Sequence, residues 1–371
     1  MDNIIVERKE PLKGSNIGVY FGTFSPFHQG HYSEMLKAML NNDGVVLIVS
    51  GYKGDRGDAI GLPLERRFRY LREEFKDEPD VRVAMLNEDN IPRYPDGWTP
   101  WLNDLNRIVQ ESVAGYTSDI FSKDSNIKIN VYSGEKDYYD YFDQHTSWNP
   151  VLTDRSTLPI SGTKIRKNPY KLWDYIMPSF KRHFVKKVLV VGSASKGKTT
   201  LIRRLGKVFS APISKEYARE YEISSNITDD ELTANDYAHF IQGQYDLNSE
   251  AITADSNKGL AIFDTDAMVT KVYSKLYLKP EEHAVLAPLF DDTIKREDID
   301  LILFITGDSE YVDDGFRNMD WSSDQEAFDN KLREYIHEFG FDDKVVNITG
   351  STYESRFNQS KKEIEKLINK E

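Results

Sequence analysis

The sequence predicts an α/β protein with two domains, each built on a parallel sheet. Its 371 residues exceed what a single hydrophobic core usually supports. Short apolar runs alternate with amphipathic stretches in both halves, which is the pattern of parallel sheets covered by helices. Each half also contains a strand that leads through a glycine turn into a helix start. We therefore expect one domain at residues 1–178 and another at residues 179–371.

The expected strands form one group in each half of the chain. Amphipathic segments at Leu64–Phe75 and Leu102–Val113 separate strands of the first group. Between the groups, Lys167–Lys186 forms either a short helical connector or the last helix of the first domain. The strands are expected at Ile17–Phe21, Val45–Val49, Val81–Leu86 and Ile127–Tyr132, and then at Lys187–Val191, Gly259–Phe263, Leu301–Ile305 and Val345–Ile348.

The composition excludes several classes of protein. A net charge of −13 argues against a general nucleic-acid-binding surface, which needs a basic face. The absence of cysteine excludes disulfides and thiolate metal sites, and it favours a reducing compartment. The first residues lack the apolar core of a signal peptide, and no apolar run reaches the ~18 residues of a membrane span. We expect a cytoplasmic protein that binds no nucleic acid. The sequence leaves open whether the protein forms a homo-oligomer.

In the first half, a strand leads into the sequence GTFSPFHQGH. His28 and His31 are three residues apart, so in the first turn of a helix they share one face. A phosphate would bind the helix N–H groups with an imidazole on each side, and both rings would stabilise charge on an α-phosphate and on departing pyrophosphate. A zinc site is disfavoured because a third ligand at suitable spacing is missing. The turn residues expected at the nucleotide are Gly22, Thr23 and Phe24.

A second phosphate anchor is expected in the sequence PISGTKIR. Ser161 stands where it can cap a helix, Thr163 lies in the first turn, and Arg166 follows one turn later. Together with the histidines, these groups would bracket one triphosphate.

The segment Tyr94–Trp101 is expected to be a rigid loop that carries Trp98 and Trp101. The two indoles could sandwich a flat, cationic ring. In the alternative interpretation, each indole anchors the loop in the core.

In the second half, a strand is followed by GSASKGKT, which is the spacing and the context of a P-loop. Gly192 and Gly197 permit the backbone to turn several N–H groups toward a phosphate. Lys198 would reach the β and γ phosphates of ATP, and the Thr199 hydroxyl would bind Mg²⁺. The remaining residues expected at the nucleotide are Ser195 and Thr200.

The segment Ala261–Asp266 ends a buried strand with two carboxylates. Asp264 would hold Mg²⁺ or accept a hydroxyl proton. Asp266 either shares such a role or caps the next helix. The guanine-binding signature NKxD does not follow the later strands, so the phosphorylation of a small molecule is favoured.

Two further segments suit a small polar acceptor. In the first, Glu216 could receive a sugar hydroxyl proton, Tyr217 could stack on a ring and Arg219 could hold phosphate. The alternative is a solvated, charged helix. In the second, Tyr311–Arg317, a lid could swing Arg317 onto the transferring phosphate, or Arg317 could pair with an acidic turn.

These motifs resemble a known family. HQGH with ISGTKIR is similar to the HxGH and ISxTxxR motifs of nucleotidyltransferases, and the PDGWTPW segment resembles nicotinamide mononucleotide adenylyltransferases. GSASKGKTT, EYAREY, IFDTDAMVT and YVDDGFR resemble the ribosylnicotinamide kinase domain fused to that enzyme in bacterial NadR-type proteins. The resemblance implies a Rossmann-like first domain, a P-loop kinase second domain, and Trp98 and Trp101 on the nicotinamide side.

The sequence departs from the family in two places. Some members carry an N-terminal helix-turn-helix, whereas here only a short charged segment precedes the first expected strand, so we expect no DNA binding. The P-loop lacks an expected glutamate after its first residues. Lys198 and Thr199 are retained.

The resemblance implies two successive steps of NAD salvage. ATP and Mg²⁺ would serve a kinase that converts nicotinamide riboside to nicotinamide mononucleotide, and an adenylyltransferase would convert the mononucleotide to NAD and pyrophosphate. One alternative is a nucleotide sensor with one decayed site. Another is an adenylyltransferase for a different phosphorylated cofactor precursor. Whether Glu216 or Asp264 is the kinase base is left open, with Glu216 favoured.

Overall fold

The computed structural model describes residues 3–93, 96–122, 125–153, 158, 160–193, 196–306 and 323–369. The chain divides into two compact units, Met1–His183 and Phe184–Glu371, called unit 1 and unit 2 below. The division falls after His183, whereas the sequence placed it after residue 178. The last helix of unit 1, Pro178–Lys181, explains the difference, because the Ser179 N–H donates to the Glu74 carboxylate at 3.0 Å and ties this segment to unit 1.

Unit 1 is built on a six-stranded sheet with the order β1-β4-β3-β2-β5-β6. All neighbouring strands are parallel except β1, which pairs antiparallel with β4 at one edge. The sequence prediction missed β1 because three residues are too few to show a period. The strands are β1 Ile4–Val6, β2 Asn16–Gly22, β3 Gly44–Gly51, β4 Val81–Asn87, β5 Lys128–Ser133 and β6 Asn149–Leu152.

Helices cover this sheet, and all of β3 is buried, as in other parallel sheets. Since parallel strands end at the same edge, the segments after Gly22, Gly51, Asn87 and Ser133 are brought together there. The helices are α1 Gln29–Asn41, α2 Leu64–Glu74, α3 Trp98–Ser112, α4 Lys136–His145, α5 Gly162–Lys167 and α6 Pro178–Lys181, with short 3₁₀ turns at Asp58–Ile60 and Trp173–Tyr175.

A buried ion pair fixes the loops at this edge. The Arg67 guanidinium is fully buried and donates to the Asp55 carboxylate at 2.7 Å. It also donates to the carbonyl oxygens of Thr23, at 2.6 Å, and Ser50, at 3.3 Å. One side chain therefore links the turn after β2 to the end of β3. Because a buried charge is costly to leave unpaired, these bonds hold the turn in one conformation.

Unit 2 is built on a five-stranded, fully parallel sheet with the order β11-β10-β7-β9-β8. The strands are β7 Lys186–Val191, β8 Ile213–Ser214, β9 Leu260–Phe263, β10 Leu301–Ile305 and β11 Val345–Ile348. The helices are α7 Lys198–Phe209, α8 Tyr217–Ser225, α9 Ala234–Thr253, α10 Ala267–Tyr277, α11 Pro280–Glu297, α12 Ser323–Glu338 and α13 Tyr353–Asn369, with 3₁₀ turns at Asp229–Glu231 and Asp342–Lys344.

The fold class expected from the sequence is confirmed in both units. Each of the eight expected strands is present, with its ends displaced by at most a residue or two, as is usual for such boundaries. Within the residues that the structure describes, we find no helix that is both long and apolar enough to cross a bilayer.

Candidate active sites

The two histidines of unit 1 lie where β2 passes into α1. His28 is the N-cap of α1, with an extended backbone, and its Nδ1 accepts from the His31 N–H at 3.4 Å. The two imidazole rings stack on each other with 3.7 Å between centroids and an 18° interplanar angle. The expectation of an imidazole on each side of a phosphate is therefore wrong. Two stacked rings 3.7 Å apart leave no room for a phosphate between them.

The second phosphate anchor lies on α5. The Ser161 hydroxyl caps this helix by accepting from the Lys164 N–H at 3.3 Å. Arg166 donates to the Ser25 carbonyl oxygen at 2.7 Å and to the Thr163 hydroxyl at 3.0 Å. Arg166 thus joins α5 to the turn that precedes the histidines. Burial lowers the pKa of Arg166, and the nearby Arg56 lowers it further.

A cavity of about 380 Å³ connects the histidines with α5, a volume within the range of small-ligand sites. Arg56 also lines it and donates to the Thr23 hydroxyl at 3.2 Å. Arg56 was not among the residues expected from the sequence, although its place shortly after β3, at the carboxyl edge of the sheet, is a usable signal. The expected site residues that line this cavity are Gly22, Thr23, Phe24, His28, His31, Ser161, Thr163 and Arg166.

The tryptophan segment differs from its expected form. Trp98 and Trp101 lie in the first turn of α3 and not in a loop, while residues 94 and 95 lie outside the described part of the chain. The two indoles meet edge to face at 83°, and Trp98 stacks on Tyr141 at 3.8 Å. Two perpendicular rings cannot sandwich a flat ligand between them, so that expectation is wrong.

The two indoles instead form one wall of a second cavity in unit 1. Trp101 is 7% exposed, and its indole N–H donates to the Glu88 carboxylate at 3.1 Å. Burial raises the pKa of Glu88. Tyr138 lines both this cavity and the one at the histidines, and burial raises its pKa to about 12. Glu88 was not among the residues expected from the sequence. Like Arg56, it is a charged residue close to the carboxyl end of a parallel strand, and this position indicates a site residue.

The P-loop of unit 2 connects β7 to α7. Gly192 has a φ of +135°, and a Cβ there would lie 2.7 Å from the Ile305 carbonyl oxygen. Gly197 has a φ of +75° and is the N-cap of α7. Both positions therefore require glycine. Lys198, the first residue of α7, donates to the Ser193 carbonyl oxygen at 2.9 Å.

The other P-loop residues expected at the nucleotide are Ser195, Thr199 and Thr200. Thr199 and Thr200 follow Lys198 in the first turn of α7, and Thr200 is exposed. Ser195 lies outside the described residues, as does the whole segment with Arg317 that was expected to be a lid.

Asp264 lies beside the P-loop, directly after β9. Its carboxylate accepts from the Thr199 hydroxyl at 2.7 Å. Burial raises the pKa of Asp264, against the effects of the Thr199 hydrogen bond and the Lys198 charge. A hydroxyl and a carboxylate in contact beside a phosphate loop are oxygen donors of the kind that Mg²⁺ prefers. Asp266 instead caps α10 by accepting from the Val269 N–H at 2.8 Å, which was the alternative left open.

The acceptor residues lie at the start of α8. Glu216 is the N-cap residue of α8, and it lines a cavity together with Thr265, directly beyond Asp264. The charges of Glu216 and Arg219 both act on Asp264. The Tyr217 ring packs over the backbone of Gly243, where an added Cβ would come within 2.3 Å of it. The aromatic walls of the cavity come from Tyr237, Phe240, Tyr273 and Tyr277, which sequence analysis missed because their helical spacing is also that of core residues.

Comparisons with known proteins agree with this arrangement. Residues 187–356 match the family model described as an AAA domain. The trifunctional NAD biosynthesis/regulator protein NadR of Salmonella typhimurium is 30% identical over 359 residues, which are 94% of this chain and 82% of that protein. The chain belongs to the NadR family. The family and the enzyme class expected from the sequence are therefore confirmed.

Two solved NadR structures extend the likeness to the whole fold. A NadR protein in complex with NR is 42% identical, with a TM-score of 0.87 over 98% of this chain and 99% of that one. A NadR protein in complex with NAD and AMP-PNP is 42% identical, with a TM-score of 0.85 over 97% of this chain and 98% of that one.

Proposed function

We propose that the two units catalyse successive reactions of NAD salvage. Unit 2 transfers the γ-phosphoryl group of ATP to the 5′-hydroxyl of nicotinamide riboside, and unit 1 transfers the adenylyl group of ATP to the resulting mononucleotide. The observation that carries the proposal is the same in both units: a helix start of the kind that binds phosphate lies near a cavity lined by aromatic rings and carboxylates. NadR proteins that bind NR, NAD and AMP-PNP support this assignment.

In unit 2, the P-loop N–H groups and Lys198 hold the phosphates of ATP. Thr199 and Asp264 would hold Mg²⁺, which neutralises charge on the transferring phosphate when it is bound. The oxygen of the 5′-hydroxyl attacks the γ-phosphorus, Glu216 accepts the proton of that hydroxyl, and ADP leaves. In this proposal Glu216 is the base because it lines the acceptor cavity, whereas Asp264 contacts the P-loop threonine.

In unit 1, the phosphate of the mononucleotide attacks the α-phosphorus of ATP, and pyrophosphate leaves. His28 and His31 stand on one side of the reacting phosphate, and Arg166 and Arg56 reach the same cavity from other elements. These groups stabilise negative charge that grows in the transition state, so no covalent intermediate is required. The second cavity, with Trp98, holds the nicotinamide ring.

The cationic character of the nicotinamide ring favours this acceptor over another phosphorylated cofactor precursor. In unit 1, the cavity sets Trp98 and Tyr138 beside the Glu88 carboxylate. In unit 2, it sets four aromatic rings beside Glu222 and Asp229. Aromatic faces and carboxylates are the groups that attract an organic cation. A cytoplasmic location remains part of the proposal.

One assay tests the proposal. The protein is incubated with nicotinamide riboside, ATP and Mg²⁺, and the mononucleotide, NAD and pyrophosphate are separated and measured over time. We expect the mononucleotide to appear first and NAD to follow with an equal amount of pyrophosphate. A nucleotide sensor with one decayed site would stop at the mononucleotide or produce nothing. An enzyme for another precursor would turn over ATP only with that precursor.

A further inference from the structure

One buried glutamine forms hydrogen bonds with the backbone on both sides of Glu216. The Gln244 side chain, on α9, is 1% exposed. Its amide oxygen accepts from the Tyr217 N–H at 2.8 Å, and its amide nitrogen donates to the Lys215 carbonyl oxygen at 3.0 Å. Tyr217 and Lys215 are the two neighbours of Glu216. A single planar amide therefore fixes both peptide groups that set the direction of the Glu216 side chain.

A second buried amide extends this contact to the segment that follows β9 and contains Asp264. Asn248, one turn further along α9, accepts from the Gln244 amide nitrogen at 3.0 Å and from the Ser214 hydroxyl at 2.5 Å. Its own nitrogen donates to the Thr265 carbonyl oxygen at 3.3 Å and to the Glu297 carboxylate at 2.9 Å. The ends of β8 and β9 are thus held to one helix by two side chains.

The backbone partners determine how both amides are oriented. The Tyr217 N–H can only donate, so it must face the Gln244 oxygen, and the Lys215 carbonyl can only accept, so it must face the nitrogen. Both Gln244 N–H groups and both Asn248 N–H groups are then used within the protein. A fully satisfied buried network is rigid. Although Gln244 borders the acceptor cavity, its N–H groups are committed to the protein and not to a ligand.

We propose that Gln244 is a positioning residue for phosphoryl transfer: it holds the backbone around Glu216 so that the carboxylate meets the acceptor hydroxyl. This inference rests on the proposed function, in which Glu216 is the base. Asn248 ties the same contact to β9, so the base and the Asp264 carboxylate keep a fixed separation. Displacement of a reacting group by about 1 Å can lower a rate by about 100-fold, so the effect is measurable.

A double-mutant cycle tests this inference in the full-length protein. Gln244→Met keeps the length of the side chain and removes both backbone contacts. The matched control is Gln242→Met, the same change two residues earlier on α9, where the side chain is exposed. Both changes are also made in a Glu216→Gln background. The kcat for phosphorylation and the KM for ATP are measured for each protein. The rate of adenylyl transfer by unit 1, which carries none of these substitutions, serves to normalise the concentration of active enzyme in each sample.

We expect Gln244→Met to lower kcat about 10- to 100-fold with little change in the KM for ATP, and Gln242→Met to change neither. In the Glu216→Gln background, Gln244→Met should lower the kcat for phosphorylation by less than about a further twofold. A residue that acts only by positioning the Glu216 carboxylate has no effect once that carboxylate is removed. Equal losses in both backgrounds would overturn the inference while leaving Glu216 as the base.

Two other results are also decisive. If Glu216→Gln keeps normal turnover, the assignment of the base fails, and the inference fails with it. If Gln244→Met does not fold, Gln244→Glu replaces it in the cycle, because it keeps the acceptor for the Tyr217 N–H and loses the amide donors. Wild-type turnover in a folded Gln244 variant would show that the contact has no positioning role.

Discussion

In the proposed function, the two units bind phosphate with the same backbone arrangement but with different side chains. In unit 1, β2 leads through a turn into α1, and in unit 2, β7 leads through the P-loop into α7. Both helix starts present N–H groups and a positive dipole to an anion. The side chains at these starts are two stacked imidazoles in unit 1 and a lysine in unit 2. In the proposed function, the fold therefore provides the anion site, and the side chains determine which phosphorus reacts.

The acceptor cavities of the two units are lined by different elements. The ring cavity of unit 1 is walled by side chains of α3 and α4 and by Glu88 after β4. The cavity of unit 2 is walled by side chains of α9 and α10, with Glu216 from the start of α8. In the proposed function, both cavities take the same nicotinamide ring. Each unit would therefore bind this cation with a different set of helices and loops.

The strongest test of the separation between the units is Lys198→Ala. Loss of the charge that holds the β and γ phosphates should lower mononucleotide formation about 1,000-fold or more. NAD synthesis from added mononucleotide should be nearly unchanged, because unit 1 has its own phosphate site. The matched control is Lys207→Ala, which removes an exposed lysine from the same helix. Equal loss of both activities in a folded variant would contradict the separation of the two sites.

The next largest effect is expected for His31→Ala, which should give the reverse pattern. An imidazole that stabilises transition-state charge contributes about 3–4 kcal/mol, or a ~100- to 1,000-fold change in rate. Adenylyl transfer should therefore fall by that factor, with a smaller change in the KM for ATP, and phosphorylation should persist. Near-normal adenylyl transfer in this variant would mean that His31 supports α1 and takes no part in the reaction.

A smaller effect distinguishes the two carboxylates of unit 2. Glu216→Gln should lower turnover about 100-fold at saturating Mg²⁺ and leave the Mg²⁺ requirement alone, because a base is lost. Asp264→Asn should raise the Mg²⁺ concentration needed for half-maximal rate, because an oxygen donor to a hard cation is weakened. Magnesium titrations of the two variants separate these roles. A shifted requirement in Glu216→Gln alone would reverse the assignment.

The motifs expected to bind phosphate are visible in the sequence, whereas the walls of the acceptor cavities are not, for a physical reason. The P-loop and the HxGH turn are contiguous, so their glycines, cap residues and charges are visible within about ten residues. The position of Trp98 depends on its stacking with Tyr141, which lies on a different helix. The orientation of Glu216 depends on Gln244, from a helix later in the chain. Contacts of this kind exist only after the chain has folded.

The same distinction applies to the fold. The eight expected strands are present, whereas β1, β6 and β8 were not among them; these have three, four and two residues and lie at the edges of their sheets. Asp266 illustrates the limit, since its sequence context fitted a helix cap and a site residue equally well. Its bond to the Val269 N–H, seen only in the structure, separates the two.

The smallest expected effect is a dependence of the stability of unit 2 on pH. Glu297 and Asp266 are buried close enough for their charges to interact, and burial, followed by the charge of Asp266, raises the pKa of Glu297 to about 8. Above its ordinary pKa of about 4.3, the carboxyl is ionised in the unfolded chain but keeps its proton in the folded one. Unfolding therefore releases a proton, so this stabilisation is present at low pH and is lost as the pH rises through about 8.

Calorimetry between about pH 5 and about pH 8 measures this loss, and in a domain of this size each kcal/mol should lower the midpoint of unfolding by roughly 2–4 °C. Glu297→Gln should reduce the pH dependence, because an amide stays neutral and keeps an oxygen that can accept from the Ala267 N–H, as the carboxylate does at 3.1 Å. Glu281→Gln, on an exposed part of the same helix, is the matched control and should retain the wild-type slope. If Glu297→Gln also retained that slope, the pH dependence would have to arise from groups other than Glu297.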